Sequence, residues 1–201
     1  MYTDPPRPDD GKTPWREWAL QGRGAVPAQQ REREATELAR IVAAGALPCA
    51  VGGRTVCAYV PSGTEPGSLA LLDALRSAGA RVLLPVTGPP GPLQWGEFSG
   101  ATGLRAGRFG LREPVGPPLA PEQVAEAALV LVPALAVDRG GVRLGRGAGY
   151  YDRTLVHAGP GTVLMAVVRD DEVVPELPAD RHDIRVGWAL TPSGPVRLAP
   201  G

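Results

Sequence analysis

The stretch from Leu129 to Leu155 constrains the fold of this chain more than any other part of its sequence. It begins with the apolar run LVLV, which stops at Pro133, and continues as a loop with glycines at positions 145, 147 and 149. Helix-like character then resumes at the end of the stretch. In such a loop, backbone without Cβ atoms can approach a ligand closely, and N–H groups at a helix start attract phosphate. The order strand, glycine-rich loop, helix therefore predicts a phosphate-binding loop in an α/β fold.

The spacing of these glycines matches neither of the two standard phosphate-binding motifs. The loop lacks G-x-x-x-x-G-K-[ST], and its G-x-G-x-G differs from the dinucleotide pattern G-x-G-x-x-G. A tight surface turn remains an alternative in a chain that carries 27 glycines. Two guanidiniums inside the same loop, those of Arg143 and Arg146, favour the phosphate interpretation.

Apolar periodicity before and after this stretch predicts alternating helices and strands. Residues 27–44 and 69–78 carry the i, i+3, i+4 pattern of amphipathic helices, and residues 121–127 a short helix. Short apolar runs predict buried strands at 55–60, 81–86, 129–132, 162–168 and 186–190. We expect a single three-layer α/β domain over residues 12–201, with a mostly parallel sheet and helices on both faces. Residues 1–11 are polar and proline-rich and are expected to be disordered, and the final segment TPSGPVRLAPG is expected to be an exposed tail.

The charge balance excludes some classes of partner. Lysine plus arginine equals aspartate plus glutamate at 21 each, so bulk attraction to nucleic acid or to an acidic membrane is not expected. The N-terminus resembles neither a signal peptide nor a lipidation site, and no apolar run approaches the length of a membrane span. We expect a cytoplasmic monomer with free thiols at Cys49 and Cys57.

Three smaller motifs carry charged side chains that could serve a site. Lys12 and Arg16 are four residues apart, so a helix would place both on one face, where they reach one polyphosphate or form a solvated basic face. Glu65 follows a predicted strand, where α/β sheets bind ligands, although a solvent-facing carboxylate is the simpler interpretation. His182 and Asp183 form a pair that is commonly structural.

The full residue order of the central stretch is a more specific signal than the spacing of its glycines. VPALAVDRGGVRLGRGAGYYDR resembles the signature of the 5-formyltetrahydrofolate cyclo-ligase family, which reads roughly VPGxAFDxxGxRLGxGxGYYDR. Ala134 and Val137 depart from it by apolar exchanges that concern packing. Four shorter phrases follow the family's order: the Lys12/Arg16 pair, Y-x-P-x-x-x-E ending at Glu65, the G-x-F-G phrase of residues 107–114, and the H-D pair.

The resemblance implies an enzyme that converts 5-formyltetrahydrofolate and ATP to 5,10-methenyltetrahydrofolate, ADP and phosphate. It implies a nucleotide site formed by Lys12, Arg16, Arg143, Leu144, Gly145, Arg146, Gly147, Ala148, Gly149, Tyr150 and Tyr151. It implies substrate contacts from Val60, Glu65, Arg146, Gly147, Gly149 and Tyr150. Asp152 and Asp183 are implied as Mg²⁺ ligands, and Arg146 and Lys12 as the catalytic cations. The family usually has an acidic residue four positions after the H-D pair. This sequence has Gly187 there, so the resemblance implies no role for that position.

Two other functions remain open from the residues alone. One is a related ATP-binding enzyme that acts on a non-folate amide or carboxyl group. The other is a nucleotide-binding module without catalysis, because related folds can keep a ligand loop and lose its chemistry.

Overall fold

The structure is a computed structural model that describes residues 4–88, 91–107 and 110–198. The helices are α1 (Lys12–Ala25), α2 (Ala28–Ala43), α3 (Leu69–Ser77) and α4 (Tyr150–Leu155). The strands are β1 (Thr55–Cys57), β2 (Arg81–Val86), β3 (Gln94–Glu97), β4 (Leu104–Ala106), β5 (Arg112–Pro114), β6 (Ala127–Pro133), β7 (Ala136–Asp138), β8 (Arg143–Leu144), β9 (Val163–Val167), β10 (Val173–Val174), β11 (Trp188–Thr191) and β12 (Gly194–Arg197). Within the described ranges, no helix combines the length and the apolar character that a bilayer crossing requires.

A seven-stranded sheet in the order β12-β11-β9-β6-β1-β2-β3 forms the middle layer. The inner pairs β2-β1, β1-β6, β6-β9 and β9-β11 are parallel, whereas β3 and β12 pair antiparallel at the two edges. The prediction of a mostly parallel sheet is therefore confirmed. Strand β6 lies at the centre, so the loop that follows it leaves from the middle of the sheet.

Strand β6 is buried on both faces, as expected for a parallel sheet between two layers. Leu129 and Leu131 pack with apolar residues of α2 and α3, whereas Val130 and Val132 pack on the other side with Val124 and the α4 side chain Leu155. The three-layer prediction is confirmed by these two cores. The second layer also contains the segment Pro121–Glu126, predicted as a helix, which is a 3-10 helix.

Two parts of the chain differ from, or lie outside, the sequence-based expectations. The described part of the expected C-terminal tail forms the second half of a β-hairpin at the sheet edge, because Thr191 pairs with Gly194 and Leu198 is buried; residues 199–201 lie outside the described residues. Pro195 argued against a strand at this position, but edge strands tolerate proline, and β12 is an edge strand. Near the N-terminus, Pro8–Asp10 form a 3-10 helix and the Trp15 indole N–H donates to the Arg7 carbonyl at 3.1 Å. The disorder expected over residues 1–11 stays a prediction.

A small second sheet, β10-β7-β8, carries the signature segment. Helix α1 lies against it, because Trp15 and Ala19 are buried in a cluster with Leu135, Ala136 and Leu144. This contact brings the N-terminal helix to the glycine-rich loop that follows β8.

Candidate active site

Helix α1 directs a row of cations toward the signature segment. Lys12, Arg16 and Arg23 are separated by four and seven residues, a spacing that keeps all three on one helical face. The prediction that Lys12 and Arg16 share a helix is confirmed. Each of the three cations contacts a different part of the chain.

Arg16 contacts the backbone of the glycine-rich loop. Its Nε donates to the Gly145 carbonyl at 3.0 Å, and a Cβ added to Gly147 would lie 3.5 Å from the Arg16 guanidinium carbon. Gly147 also has φ +99°, a conformation that L side chains rarely adopt. The loop and α1 therefore form two walls of one site.

Lys12 lies between two carboxylates from the segment before β11. Its Nζ is 2.8 Å from Asp180 Oδ2 and 2.7 Å from Asp183 Oδ2, and Asp183 also accepts the Asp180 backbone N–H at 2.7 Å. Burial by itself lowers the pKa of Lys12, but the hydrogen bonds and charges of the two carboxylates outweigh it, so the pKa is raised. Asp180 was not among the predicted site residues, although it stands three residues before Asp183 in the phrase that the sequence singled out.

Arg143 is buried in β8 and pairs with Asp152 in α4. Its NH2 group lies 2.5 Å from Asp152 Oδ1, and its guanidinium lies 5.9 Å from the centre of the Tyr151 ring. Burial lowers the pKa of Arg143, while the charges of Asp152 and Asp183 act in the opposite direction. The charges of both carboxylates therefore act on the same guanidinium.

Two groups of carboxylates at this site could hold a metal ion. Asp152 and Asp183, the predicted ligands, supply the hard oxygen atoms that Mg²⁺ prefers. Asp180, His182 and Asp183 form a second group, whose ligand atoms all lie within 4.8 Å of one another. Asp183 belongs to both groups.

Glu65 and Arg146 meet across the site. Glu65 Oε2 accepts the Ser62 backbone N–H at 2.9 Å and the Ser62 hydroxyl at 3.1 Å, and its Oε1 lies 3.4 Å from Arg146 Nε. The Glu65 side chain is 12% exposed and that of Arg146 is 54% exposed. The loop arginine can therefore move, whereas the carboxylate is fixed by its own turn.

Buried polar atoms lie beside this pair. The hydroxyls of Tyr59 and Tyr151, and Nε of Arg143, have no hydrogen-bond partner among the described residues. Burial raises the pKa of both tyrosines, and the charge of Glu65 raises it further. Buried groups of this kind are rare and call for an explanation such as a ligand. Tyr59 was missed as a site residue, although it is the tyrosine of the Y-x-P-x-x-x-E phrase.

Arg23 is a third residue that sequence reasoning missed, after Asp180 and Tyr59. It forms a two-pronged pair with Glu172, Nε to Oε1 at 2.6 Å and NH2 to Oε2 at 2.7 Å, and also donates to the Ala134 carbonyl at 2.6 Å. These bonds connect α1 to the turn after β6, through Ala134, and to the 3-10 turn Asp170–Glu172 that precedes β10. A single arginine in an amphipathic helix gives no signal of burial, because its partner is distant in the sequence.

The remaining predicted residues occupy different environments. Val60 is half-buried against the core that holds α2 and α3, whereas the Leu144 side chain is 1% exposed under α1. The phrase of residues 107–114 includes two positions, 108 and 109, that lie outside the described residues. Its Glu113 is buried and accepts the Thr87 backbone N–H at 2.8 Å.

Comparison with known proteins identifies the class of this fold. The structure superposes on the methenyltetrahydrofolate synthetase of Aquifex aeolicus with a TM-score of 0.71 at 28% identity, covering 92% of each chain. The synthetase of Mycoplasma pneumoniae shares the fold at 18% identity, with a TM-score of 0.67 over 87% of this chain and 94% of the other. The chain thus has the α/β fold of these folate ligases.

Sequence comparison defines the family. The profile of the 5-formyltetrahydrofolate cyclo-ligase family matches residues 9–192. The cyclo-ligase of Mycolicibacterium smegmatis is 54% identical over 178 residues, which span 86% of this chain and 89% of the relative. The cyclo-ligase of Escherichia coli is 29% identical over 174 residues, 85% of this chain and 94% of the relative. This chain belongs to the 5-formyltetrahydrofolate cyclo-ligase family.

Proposed function

We propose that this chain cyclises 5-formyltetrahydrofolate to 5,10-methenyltetrahydrofolate and that ATP is converted to ADP and phosphate in the reaction. Membership of the family supports the reaction, and one contact in the structure supports its location. That contact is Arg146 beside Glu65, at 3.4 Å. It joins a phosphate-binding loop to a fixed carboxylate that can accept N–H groups of a pterin, so both substrates would meet at one point.

The chemistry requires activation of a poor leaving group. Ring closure removes the formyl oxygen, and the γ-phosphoryl group of ATP is first transferred to that oxygen, with ADP as the leaving group. The N10 amine of the folate then attacks the activated carbon and loses its proton, and the carbon–oxygen bond breaks to release phosphate. Phosphoryl transfer of this kind depends on fixed cations and N–H donors more than on covalent help from the protein.

The cations of the site suit that requirement. Arg146 is exposed on the loop and would stabilise the charge that grows on the transferring group, whereas Lys12 and Arg16 would bind the polyphosphate from α1. The backbone of residues 143–149 and the start of α4 would supply N–H donors. In the structure Lys12 and Arg146 contact carboxylates of the chain and Arg16 contacts a carbonyl, and a polyphosphate would take the place of these partners.

Asp152 and Asp183 would hold a magnesium ion. Their carboxylates are hard oxygen donors, and the charges of both act on Arg143. When bound, Mg²⁺ supplies positive charge that offsets the phosphate oxygens. Glu65, Val60 and Tyr150 would contact the folate. The monomeric state stays a prediction, and the reaction as proposed needs no residue from a second chain.

The test is product formation from 5-formyltetrahydrofolate and Mg-ATP, followed by the absorbance of the methenyl product. We expect turnover by the wild-type protein and a loss of about 10²–10³ in kcat for Arg146→Ala, the usual effect of removing one charge-stabilising donor. Arg139→Ala is the matched control, since Arg139 is an exposed arginine of the same signature segment. No methenyl product from the wild-type protein would refute the function, and an Arg146→Ala enzyme with full activity would refute the role of the loop.

A further inference from the structure

A cavity of about 260 Å³ is bordered by Glu65, the residue that contacts Arg146 of the glycine-rich loop. One wall is the first two turns of α2, including Arg31 and Ala35, and the other is the loop from Gly63 to Ser68. Glu65 borders this cavity and also contacts Arg146, so the cavity continues directly from the proposed reaction centre. None of the residues that the family resemblance implies for substrate binding belongs to α2.

Most charged groups of the cavity are paired, and the two without a partner among the described residues are the half-buried Arg31 and the exposed Glu32. Glu34 binds Arg169 and accepts the Gln30 amide at 2.9 Å, and Arg169 also binds Asp171 at 3.2 Å. Among the cations, the side chain of the half-buried Arg31 makes no hydrogen bond or ion pair with any residue that the structure describes. A guanidinium that lines a cavity without a protein partner is available to an anionic ligand.

The position of Arg31 in its helix supports the same conclusion. It stands in the first turn of α2, which begins after Pro27 without an acidic residue and without a side-chain cap. A cation at this end of a helix is unfavourable, because the helix dipole already makes the N-terminus positive. The N-terminus of α3, capped by Ser68, borders the same cavity and also lacks an acidic first turn. A negatively charged ligand would offset all of these positive ends.

We infer that this cavity binds the anionic tail of the reduced folate, with Arg31 pairing to a carboxylate of the tail glutamate. The inference rests on the proposed function, which supplies the substrate. A folate carries its reactive ring at one end and two carboxylates at the other. With the ring at Glu65 and its formyl group toward Arg146, the tail extends into the cavity, where Arg31 is the unpaired cation. The residue is thus a specificity determinant for the tail and takes no part in phosphoryl transfer.

The experiment compares two substrates in two variants. The substrates are 5-formyltetrahydrofolate and its diamide, in which both glutamate carboxylates are neutral amides of similar size. The variants are Arg31→Gln and the control Arg33→Gln, which removes an equal charge from the exposed face of α2. We expect Arg31→Gln to lower kcat/KM for the natural substrate by about tenfold, through KM, because one charge-assisted bond is lost. With the diamide, Arg31→Gln should match the wild-type protein, and KM for ATP should not change.

The outcomes separate this inference from the function itself. If the wild-type protein turns over but Arg31→Gln has no effect, or lowers kcat/KM equally for both substrates, the tail assignment is overturned and the function stands. An equal loss in Arg33→Gln would show a general charge effect and would also overturn it. Failure of the wild-type protein to form product would overturn both proposals. Thermal unfolding gives a further readout, since removal of an unpaired cation from a helix start should leave Tm unchanged or slightly raised.

Discussion

The buried pair of Arg23 and Glu172 should be the most sensitive ionic contact in this fold. Their side chains are 1% and 4% exposed, and two hydrogen bonds join them. Arg23 also holds the Ala134 carbonyl, and Glu172 accepts the Arg169 backbone N–H at 2.9 Å. The substitution Glu172→Gln keeps the volume but removes the charge, which leaves a guanidinium buried without its counterion.

The magnitude follows from that burial. Removing one partner of a buried ion pair costs about 3–5 kcal/mol, because the other charge stays desolvated without compensation. For a chain of this length, each kcal/mol lowers Tm by about 2–4 °C, so we expect a fall of roughly 6–20 °C. The damage should also reach the site, because α1 carries Lys12 and Arg16. We therefore expect KM for ATP to rise at temperatures where the variant is still folded.

Thermal and urea unfolding followed by circular dichroism measure this effect. The control is Glu37→Gln, which breaks the pair of Glu37 with Arg40. That pair has a nitrogen–oxygen distance of 2.7 Å, but its side chains are 45% and 64% exposed. An exposed pair contributes about 0.2–1 kcal/mol, so the control should unfold close to the wild-type protein.

The double variant Arg23→Met/Glu172→Leu separates loss of pairing from loss of packing. Replacing both charges with apolar side chains leaves no buried ion, so it should be more stable than Glu172→Gln alone. Equal unfolding of Glu172→Gln and the wild-type protein would refute the argument. If the double variant were less stable than Glu172→Gln, the ion pair itself would stabilise the fold, beyond preventing an unpaired buried charge.

Three further changes test other features. Tyr59→Phe removes a buried hydroxyl without a partner and should raise the free energy of unfolding by about 1 kcal/mol in urea titration, whereas a loss would reveal a bond to the hydroxyl. Gly141→Ala should lower the free energy of unfolding in urea titration more than the control Gly53→Ala. Both glycines have positive φ, +84° and +70°, but an added Cβ would lie 2.4 Å from a backbone carbonyl oxygen at Gly141 and has no atom within 4 Å at Gly53. Equal losses in the two variants would contradict the clash at Gly141. Asp180→Asn removes a carboxylate that would compete with a phosphate of ATP for Lys12, so KM for ATP should fall in steady-state assays. Glu176→Gln is the control. A rise in KM would show that Asp180 positions the lysine.

Local patterns in the sequence predicted most of the elements around this site. Helix α3 and strand β2 follow from apolar periodicity and from Ser68, whose hydroxyl caps the helix by accepting the Ala70 N–H at 3.3 Å. The glycine-rich loop and the helix after it were also predicted, because the apolar strand and the glycines that indicate them lie in one contiguous stretch of sequence. The second strand of the C-terminal hairpin was missed, since its four residues, Gly194–Arg197, leave no detectable period.

Contacts between distant segments were beyond reach of such patterns. Nothing local in the sequence indicates that Arg23 is buried against Glu172, or that Asp180 shares Lys12 with Asp183. The same holds for the cavity beside Arg31, which exists only because α2 and the loop after β1 converge. Family resemblance supplied the identity of the loop and its aspartates, but not these contacts, because they depend on how the helices pack.

The proposed nucleotide site is neutralised by the chain itself, and this has a consequence for how phosphate would bind. Lys12 contacts two carboxylates, Arg143 contacts Asp152, and Arg146 contacts Glu65. Of these cations only Arg143 is deeply buried, and without Asp152 its desolvated charge would cost several kcal/mol, so this pair keeps the site stable without ligand. A polyphosphate must then exchange partners with the carboxylates, and the exchange is easiest for exposed Arg146 and hardest for buried Arg143. The loop arginine should therefore engage the transferring phosphate, while Arg143 continues to hold α4 in place through Asp152.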